Sequence, residues 1–391
     1  MIHQAIDRTL KDWYKPLMAV LCLGMMFGHV VSITPSLTVM HIFIAITAAL
    51  ALLYKTPASR LFLLAGGYFL IYGAWTLAMS LLWGDSITVK EALKFLSIPV
   101  LVIALLRVML VSPREMLSVF FYVSIGYLVA MTAIGYAEHF TGWHMPTSAL
   151  YSATDDARFQ ASGMSYNPND YSVLLILAAL YILAYSLNLT KKRSHVIGYA
   201  AIALCIPIMI WNDCKTGLGV ALLAVVFHLM TKIKQRRIII ATLICTLVAI
   251  VVAIAINWSI ISPRLQIYGT ALMSLYDSCG AGLGINGDRL YLSGLNNYDI
   301  TKGLTNAHSY LLQILFTSGL PVFLLYCLMI AKIMKLSATN SQNLFWIMPI
   351  LYLLLLFSPS SSMYLWAHYV FFCSYICYAA YSSLNDNKTT R

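Results

Sequence analysis

The feature that most limits what this chain can fold into is the length of its apolar runs. Twelve stretches are predominantly apolar, at about 15–33, 36–54, 61–83, 92–111, 116–137, 170–188, 196–212, 216–232, 238–257, 309–331, 344–359 and 363–382. A helix that crosses a bilayer needs roughly 20 such residues. Charged residues make up only 10% of the 391, against roughly 25% in soluble domains, and the deficit is spread along the whole chain. That excludes a soluble domain with an anchor. The runs are too long and continuous for strands of a membrane barrel, which alternate with period two. The expected fold is therefore all-α, a polytopic membrane protein of about twelve transmembrane helices forming a single integral membrane domain over residues 1–391.

The first fifteen residues are polar and basic, and the first apolar run lacks a small-residue cleavage site, so no cleavable signal peptide is expected. With the N-terminus inside and the spans alternating, eighteen of the twenty-five Lys and Arg fall on the inner side. Seven fall outside: Lys90, Lys94, Arg158, Lys215, Arg264, Arg289 and Lys302. This asymmetry follows the positive-inside rule with both termini cytoplasmic. The net charge of +11 is accounted for by topology and by attraction to anionic membrane lipids, and no nucleic acid partner is implied.

Most connections are short, but two longer loops fall on the outer side, at about 138–169 and about 258–308. Loops longer than about 15 residues are usually functional or disordered, and the tryptophans, tyrosines and histidines in these two point to order. Ionisable groups are nearly absent from the middles of the spans, where transporters carry them, and gather instead at the outer face. Most cysteines lie within spans as small apolar residues. Cys214 and Cys279 are the one plausible outer pair, and a disulfide between them is not favoured.

The outer polarity has a pattern. Arg158 lies in "DDARFQASGMSYNPNDYS", Arg264 and Arg289 in "SPRLQIYGTALMSLYDSCGAGLGINGDRL", and His308 in "TNAHSYLLQ" just before an apolar run. A single interfacial arginine is as well explained by snorkelling to lipid phosphate. Three on the same two loops as a histidine fit a diphosphate pocket better, because the guanidinium fork binds phosphate bidentately. An imidazole is the commonest general base near neutral pH. His139 and His144 on the first outer loop compete with His308 for that role, and His368 near an outer end is a weaker rival. Gly282, Gly284 and Gly287 fit GxGxxG, but with no βαβ unit around them they read as a turn that lets backbone approach substrate. Asp155–Asp156 is the only acidic pair outside, and adjacent loop carboxylates are poor metal ligands, so neither a metal nor a cofactor is expected.

Arg158 followed by Gly163 and "NPN", then Arg264 followed by "AGLG", then "AHSYLLQILFTSGL", together resemble the bacterial O-antigen ligase family and its O-antigen and exopolysaccharide polymerase relatives over residues 155–320. Many relatives carry Asn after the histidine, where this chain has Ser309. The resemblance implies a metal-independent GT-C-like glycosyltransferase in the bacterial inner membrane with its active site facing the periplasm. Its donor would be a glycan on undecaprenyl diphosphate, and its acceptor the lipid A core of lipopolysaccharide (a ligase) or a second lipid-linked glycan (a polymerase). His308 would be the catalytic base. Arg158, Arg264 and Arg289 would hold the diphosphate, with Asn167, Asn169, Asn306 and Ser309 in support. A lipid-linked glycan flippase or transporter is the rival that span count alone allows.

Overall fold

The structure is a computed structural model that describes residues 2–34, 37–54, 59–83, 88–188, 192–232, 258–287, 291–292, 309–337, 345, 347–357 and 366–389. Those residues are almost entirely helical. In order they form α1 (Ile2–Phe27), a short antiparallel pair β1 (Ser32–Thr34) and β2 (Leu37–Thr38), α2 (Val39–Leu53), α3 (Arg60–Leu82), α4 (Val89–Met109) and α5 (Pro113–Thr141). A 3-10 turn (Asp156–Phe159) precedes α6 (Pro168–Leu187), α7 (Lys192–Trp211) and α8 (Lys215–Lys232). Then come α9 (Trp258–Asp277), α10 (Tyr310–Ser337), α11 (Met348–Phe357) and α12 (Trp366–Thr389).

Helix ends are set by local chemistry, since the apolar runs themselves carry no stop signals. Thr88 caps α4 through its hydroxyl, which accepts from Glu91 N at 3.2 Å, while the Glu91 carboxylate accepts from Thr88 N at 3.0 Å, a reciprocal capping box. Asn167 caps α6 by accepting from Asp170 N at 2.8 Å, with Pro168 in the first turn. Gly142, at φ 66°, ends α5 in the left-handed conformation that glycine adopts without penalty.

Among the described residues six helices are long and apolar enough to cross a membrane: Arg60–Leu82, Val89–Met109, Pro113–Thr141, Pro168–Leu187, Ser194–Trp211 and Tyr310–Ser337. Three shorter apolar helices accompany them, Trp13–Phe27, Val39–Leu53 and Lys215–Met230. This is an all-α membrane protein. The ninth predicted run, 238–257, lies outside the described residues. α6 is buried along almost its whole length at the centre of the bundle, which explains why its sequence is apolar on every face rather than on one stripe.

Contacts define two ends of the bundle. At one, Tyr14 on α1 donates to Val108 O on α4 at 3.1 Å, Lys15 lies 4.0 Å from Glu115 on α5, and Tyr181 on α6 donates to Leu117 O at 3.1 Å. At the other, His29 after α1 meets Met164 O at 3.2 Å, and the rings of His41 and Trp366 lie 6.1 Å apart. There too the rings of Tyr310 and His368 lie 4.9 Å apart, and the Trp83 indole reaches Gly282 O at 2.9 Å. Both long connections therefore open at the same end.

One expectation changes. The stretch read as the second outer loop begins with a helix, α9. Its buried residues Ile267, Thr270, Ala271 and Ser274 recur at helical spacing, but three are small or hydroxylic, so the hydropathy pattern concealed the helix. Cys214 is buried, Cys279 is exposed, and both are free thiols.

Candidate functional site

Arg158 sits on a loop fastened from several directions. The last turn of α5 supplies Glu138, whose fully buried carboxylate accepts from Ser162 N at 2.7 Å and Gly163 N at 2.6 Å. Gly163 has φ 56°, and a Cβ there would lie 2.5 Å from the Tyr171 ring, so only glycine brings this backbone so close. His144 is buried, donating from Nε2 to Arg158 O at 2.6 Å, while its Nδ1 lies 3.2 Å from Ser162 Oγ and 3.4 Å from Glu138 Oε1. Ser148 and Ser162 hydroxyls are 2.7 Å apart.

From α7, Asn212 imitates a strand: its Oδ1 accepts from Ala161 N at 2.8 Å and its Nδ2 donates to Ala161 O at 2.7 Å. His139 stacks flat on Trp211 with ring centres 3.7 Å apart and bonds Phe159 O at 2.7 Å.

The result is a fixed backbone presenting an exposed cation. The Arg158 guanidinium carbon lies 4.6 Å over the Phe159 ring, and its stem runs beside the Gly142 turn, with carbons 3.5 Å from where a Cβ would stand. This geometry gives local structural partners to several residues that the sequence reading singled out on the first loop. His144 has both ring nitrogens engaged, by Arg158 O and by Ser162 and Glu138, while His139 holds Phe159 O through Nδ1 and stacks on Trp211. Asn167 spends its side chain on Asp170, accepting from its N–H and donating to its carboxylate at 2.7 Å, so "NPN" is a helix start; Asn169 is half-buried on that first turn. Asp155 caps the 3-10 turn by accepting from Ala157 N at 3.2 Å.

The second group lies on α9 and α10. Ile267 and Ala271 of α9 pack with Leu312, Leu315 and Phe316 in the first turns of α10. Arg264 is one turn before Ile267 on α9, and its side chain lies outside the described part, as do all of Arg289, Asn306 and His308. Their neighbours are placed. Tyr291 donates to the Asp277 carboxylate at the end of α9, and burial, together with that carboxylate, pushes its phenol up to about 12. Its ring lies 6.3 Å from Phe316. Ser309 directly precedes α10, accepting from Gln313 N at 2.9 Å through its carbonyl; its buried hydroxyl has no partner among the described residues.

The helix bearing Arg264 and the segment following Arg289 thus belong to one packed unit with the helix that follows His308. The hydrogen bonds of the Arg158 loop run instead to α5, α7 and the turn after α1, so Arg158 shares that end of the bundle without joining the unit. Among the described residues no cluster of three His, Cys, Asp or Glu is arranged to hold a metal ion.

The sequence reading missed Glu138 and Asn212, which fasten the loop, and Trp83, whose indole reaches Gly282 O. Glu138 carried one signal, a carboxylate retained at the end of an otherwise apolar helix; the others carried none.

No protein-family profile matches the chain. It is similar to the teichuronic acid biosynthesis protein TuaE of Bacillus subtilis (strain 168), with 25% identity over 350 residues, covering 79% of this chain and 69% of that protein.

Proposed function

We propose that this chain is a membrane glycosyltransferase of cell-surface polysaccharide biosynthesis, moving a glycan from a lipid diphosphate, of the undecaprenyl class, to a sugar hydroxyl. The observation that carries the reading is the packing of α9 along the start of α10, which puts the Arg264 helix beside the helix that follows His308. The relative's name, which concerns teichuronic acid, supports polysaccharide synthesis as the setting and favours a polymerase, with a second lipid-linked glycan as acceptor. Ligation to a lipid A core is the alternative.

In this reaction the acceptor oxygen attacks the anomeric carbon, the bond from that carbon to the diphosphate oxygen breaks, and the diphosphate leaves with the electron pair. His308 takes the hydroxyl proton. Arg264 and Arg289 neutralise charge that builds on the leaving oxygens, where one fixed donor is typically worth about 10²–10³ in rate, and Arg158 holds the donor's bound diphosphate. A flippase is disfavoured because the buried carboxylates described, Glu138 and Asp170, lie in the last turn of α5 and the first of α6 rather than mid-span.

Reconstituted protein supplied with lipid-linked glycan and no ion gradient should form a new glycosidic product. Glycan accumulating inside vesicles without that product would instead establish transport. A deletion strain should accumulate short lipid-linked units and lose long chains, whereas long lipid-linked chains would indicate a ligase.

The twelve-span topology puts both termini in the cytoplasm. Reporter fusions at 191–195 and 232–237 should read cytoplasmic, and those at 150–160 and 290–300 periplasmic. Inversion of either pair removes the site from the proposed side.

Arg264→Ala and Arg158→Ala should each lower transfer by about 10²-fold. The lysine variants should stay impaired, because an ammonium keeps the charge and loses the fork. Near-normal transfer by all four would leave the arginines only an interfacial role.

A further inference from the structure

We propose that the glycine-rich segment 278–287 is a clasp that holds α9 and the broken start of α10 in one register, and that Trp75, Ser80 and Trp83 of α3 are positioning residues for the transfer reaction. The inference rests on the function proposed above.

α10 is not one helix. Gly319 has φ 74° and ψ −175°, and Pro321 follows. Proline has no N–H to give Thr317 O, and the turn at Gly319 carries Leu320 N away from Phe316 O. Unsatisfied backbone groups at membrane depth cost several kcal/mol each. Here the clasp satisfies them. Leu283 N donates to Phe316 O at 2.7 Å, Gly284 N donates to Thr317 O at 2.9 Å, and Leu320 N donates to Gly280 O at 2.9 Å.

The clasp is itself fastened on every side. Gly280 N returns to Leu275 O of α9 at 2.6 Å. The Trp75 indole donates to Ala281 O at 2.8 Å and the Trp83 indole to Gly282 O at 2.9 Å. Ser80 Oγ accepts from Ile285 N at 2.6 Å, and Asn286 donates to Glu91 at 2.9 Å. Gly282 and Gly284 have φ 89° and 85°; a Cβ on the first would lie 2.4 Å from Gly319 N, and on the second 2.3 Å from Ser80 Oγ. The glycine spacing that fits a nucleotide-binding pattern is thus explained by approach to the protein's own backbone.

The chemical consequence follows from leverage. Nine residues separate the break at Gly319 from Tyr310, where α10 begins, roughly 14 Å of helix. A tilt of about 10° at an unheld break would displace the start of the helix by about 2 Å relative to α9. A misplacement of about 1 Å can cost about 10²-fold in rate. A break left free would therefore uncouple base from cations, whereas a break closed by three backbone bonds and braced by α3 does not.

The double variant Trp75→Phe/Trp83→Phe keeps the rings and removes both indole donors. Purified full-length protein in nanodiscs is assayed with lipid-linked glycan extracted from a strain lacking the gene. Size-exclusion chromatography gives the folded fraction. Per folded molecule, kcat should fall about 10–100-fold with the donor KM within about threefold. Ser80→Ala, which deletes one hydroxyl, should move kcat in the same direction, and lipid-facing Leu82→Ala should not. Unchanged kcat in both clasp variants, or a loss carried wholly by KM, overturns the positioning role and leaves a clasp that only seals the backbone. If His308→Ala and Arg264→Ala also transfer normally, it is the proposed reaction that has failed.

Discussion

His308→Ala should lower transfer by about two to four orders of magnitude, the usual worth of a positioned general base, while the protein still inserts and still binds the lipid donor. The expectation is sharpened by what the other histidines at this end of the bundle are doing. His29 faces Met164 O, His41 closes the cap of α2 with Thr38, His139 stacks on Trp211, and His144 is buried against Arg158 O and Ser162. His368 is fully buried, with its Nδ1 on the Tyr352 hydroxyl at 2.9 Å. Each of these rings has a structural partner. His308 directly precedes Ser309 and the first turn of α10, where the helix N–H groups disfavour an imidazolium and so favour a neutral, proton-accepting ring. The measurement is single-turnover transfer with purified, folded variants across pH. Wild-type protein should lose rate on the acid side as the ring protonates, and that limb should vanish in His308→Ala. Normal rates in His308→Ala would make the ring an interfacial side chain and end the proposed mechanism. His139→Ala should cost far less in rate.

What could be read from the sequence depended on whether the signal was local. Membrane helices announce themselves, because a lipid-facing or bundle-buried helix is predominantly apolar; the helices from α3 to α8 start and stop within a few residues of the predicted runs. α9 was not legible. Its buried face is built from Thr270, Ala271 and Ser274, small residues that pack well against α10 and score as neither apolar nor polar. The two arginine-bearing stretches stand out in the sequence because charge is sparse there, while the structure holds the Arg158 loop apart from the α9–α10 unit. The roles of individual residues were not. Asn167 looks like a ligand in one dimension and caps a helix in three. The glycines of 280–287 suggest approach to a substrate, but Gly282 approaches Gly319, and Gly284 approaches Ser80, some 200 residues earlier in the chain. No periodicity encodes such a contact, since α3 and the clasp meet only when the bundle is closed.

The largest stability effect should come from Glu138→Leu. Its carboxylate, fully buried, is the acceptor for two backbone N–H groups and faces the His144 ring. Leucine fills the volume and satisfies none of them. An orphaned buried donor costs about 1–3 kcal/mol, and removing one partner of a buried pair about 3–5 kcal/mol. These costs overlap, so a loss of about 3–5 kcal/mol is expected, read as a lowered thermal midpoint in detergent. Glu138→Gln keeps one acceptor oxygen and should lose about 1–2 kcal/mol. The effect should be local before it is global. Ser162 and Gly163 anchor the far side of the loop, so protease should cut 145–160 faster in the leucine variant at temperatures where the bundle is still intact. Because Arg158 is held through its own carbonyl by His144, a loosened loop should weaken the donor contact first. Donor KM should rise while kcat, which depends on the α9–α10 unit, holds. The opposite split, with kcat falling at constant KM, would mean that Arg158 acts on the leaving group in the transition state rather than on the bound diphosphate. An unchanged midpoint together with unchanged proteolysis would mean that the buried carboxylate does not hold the loop at all.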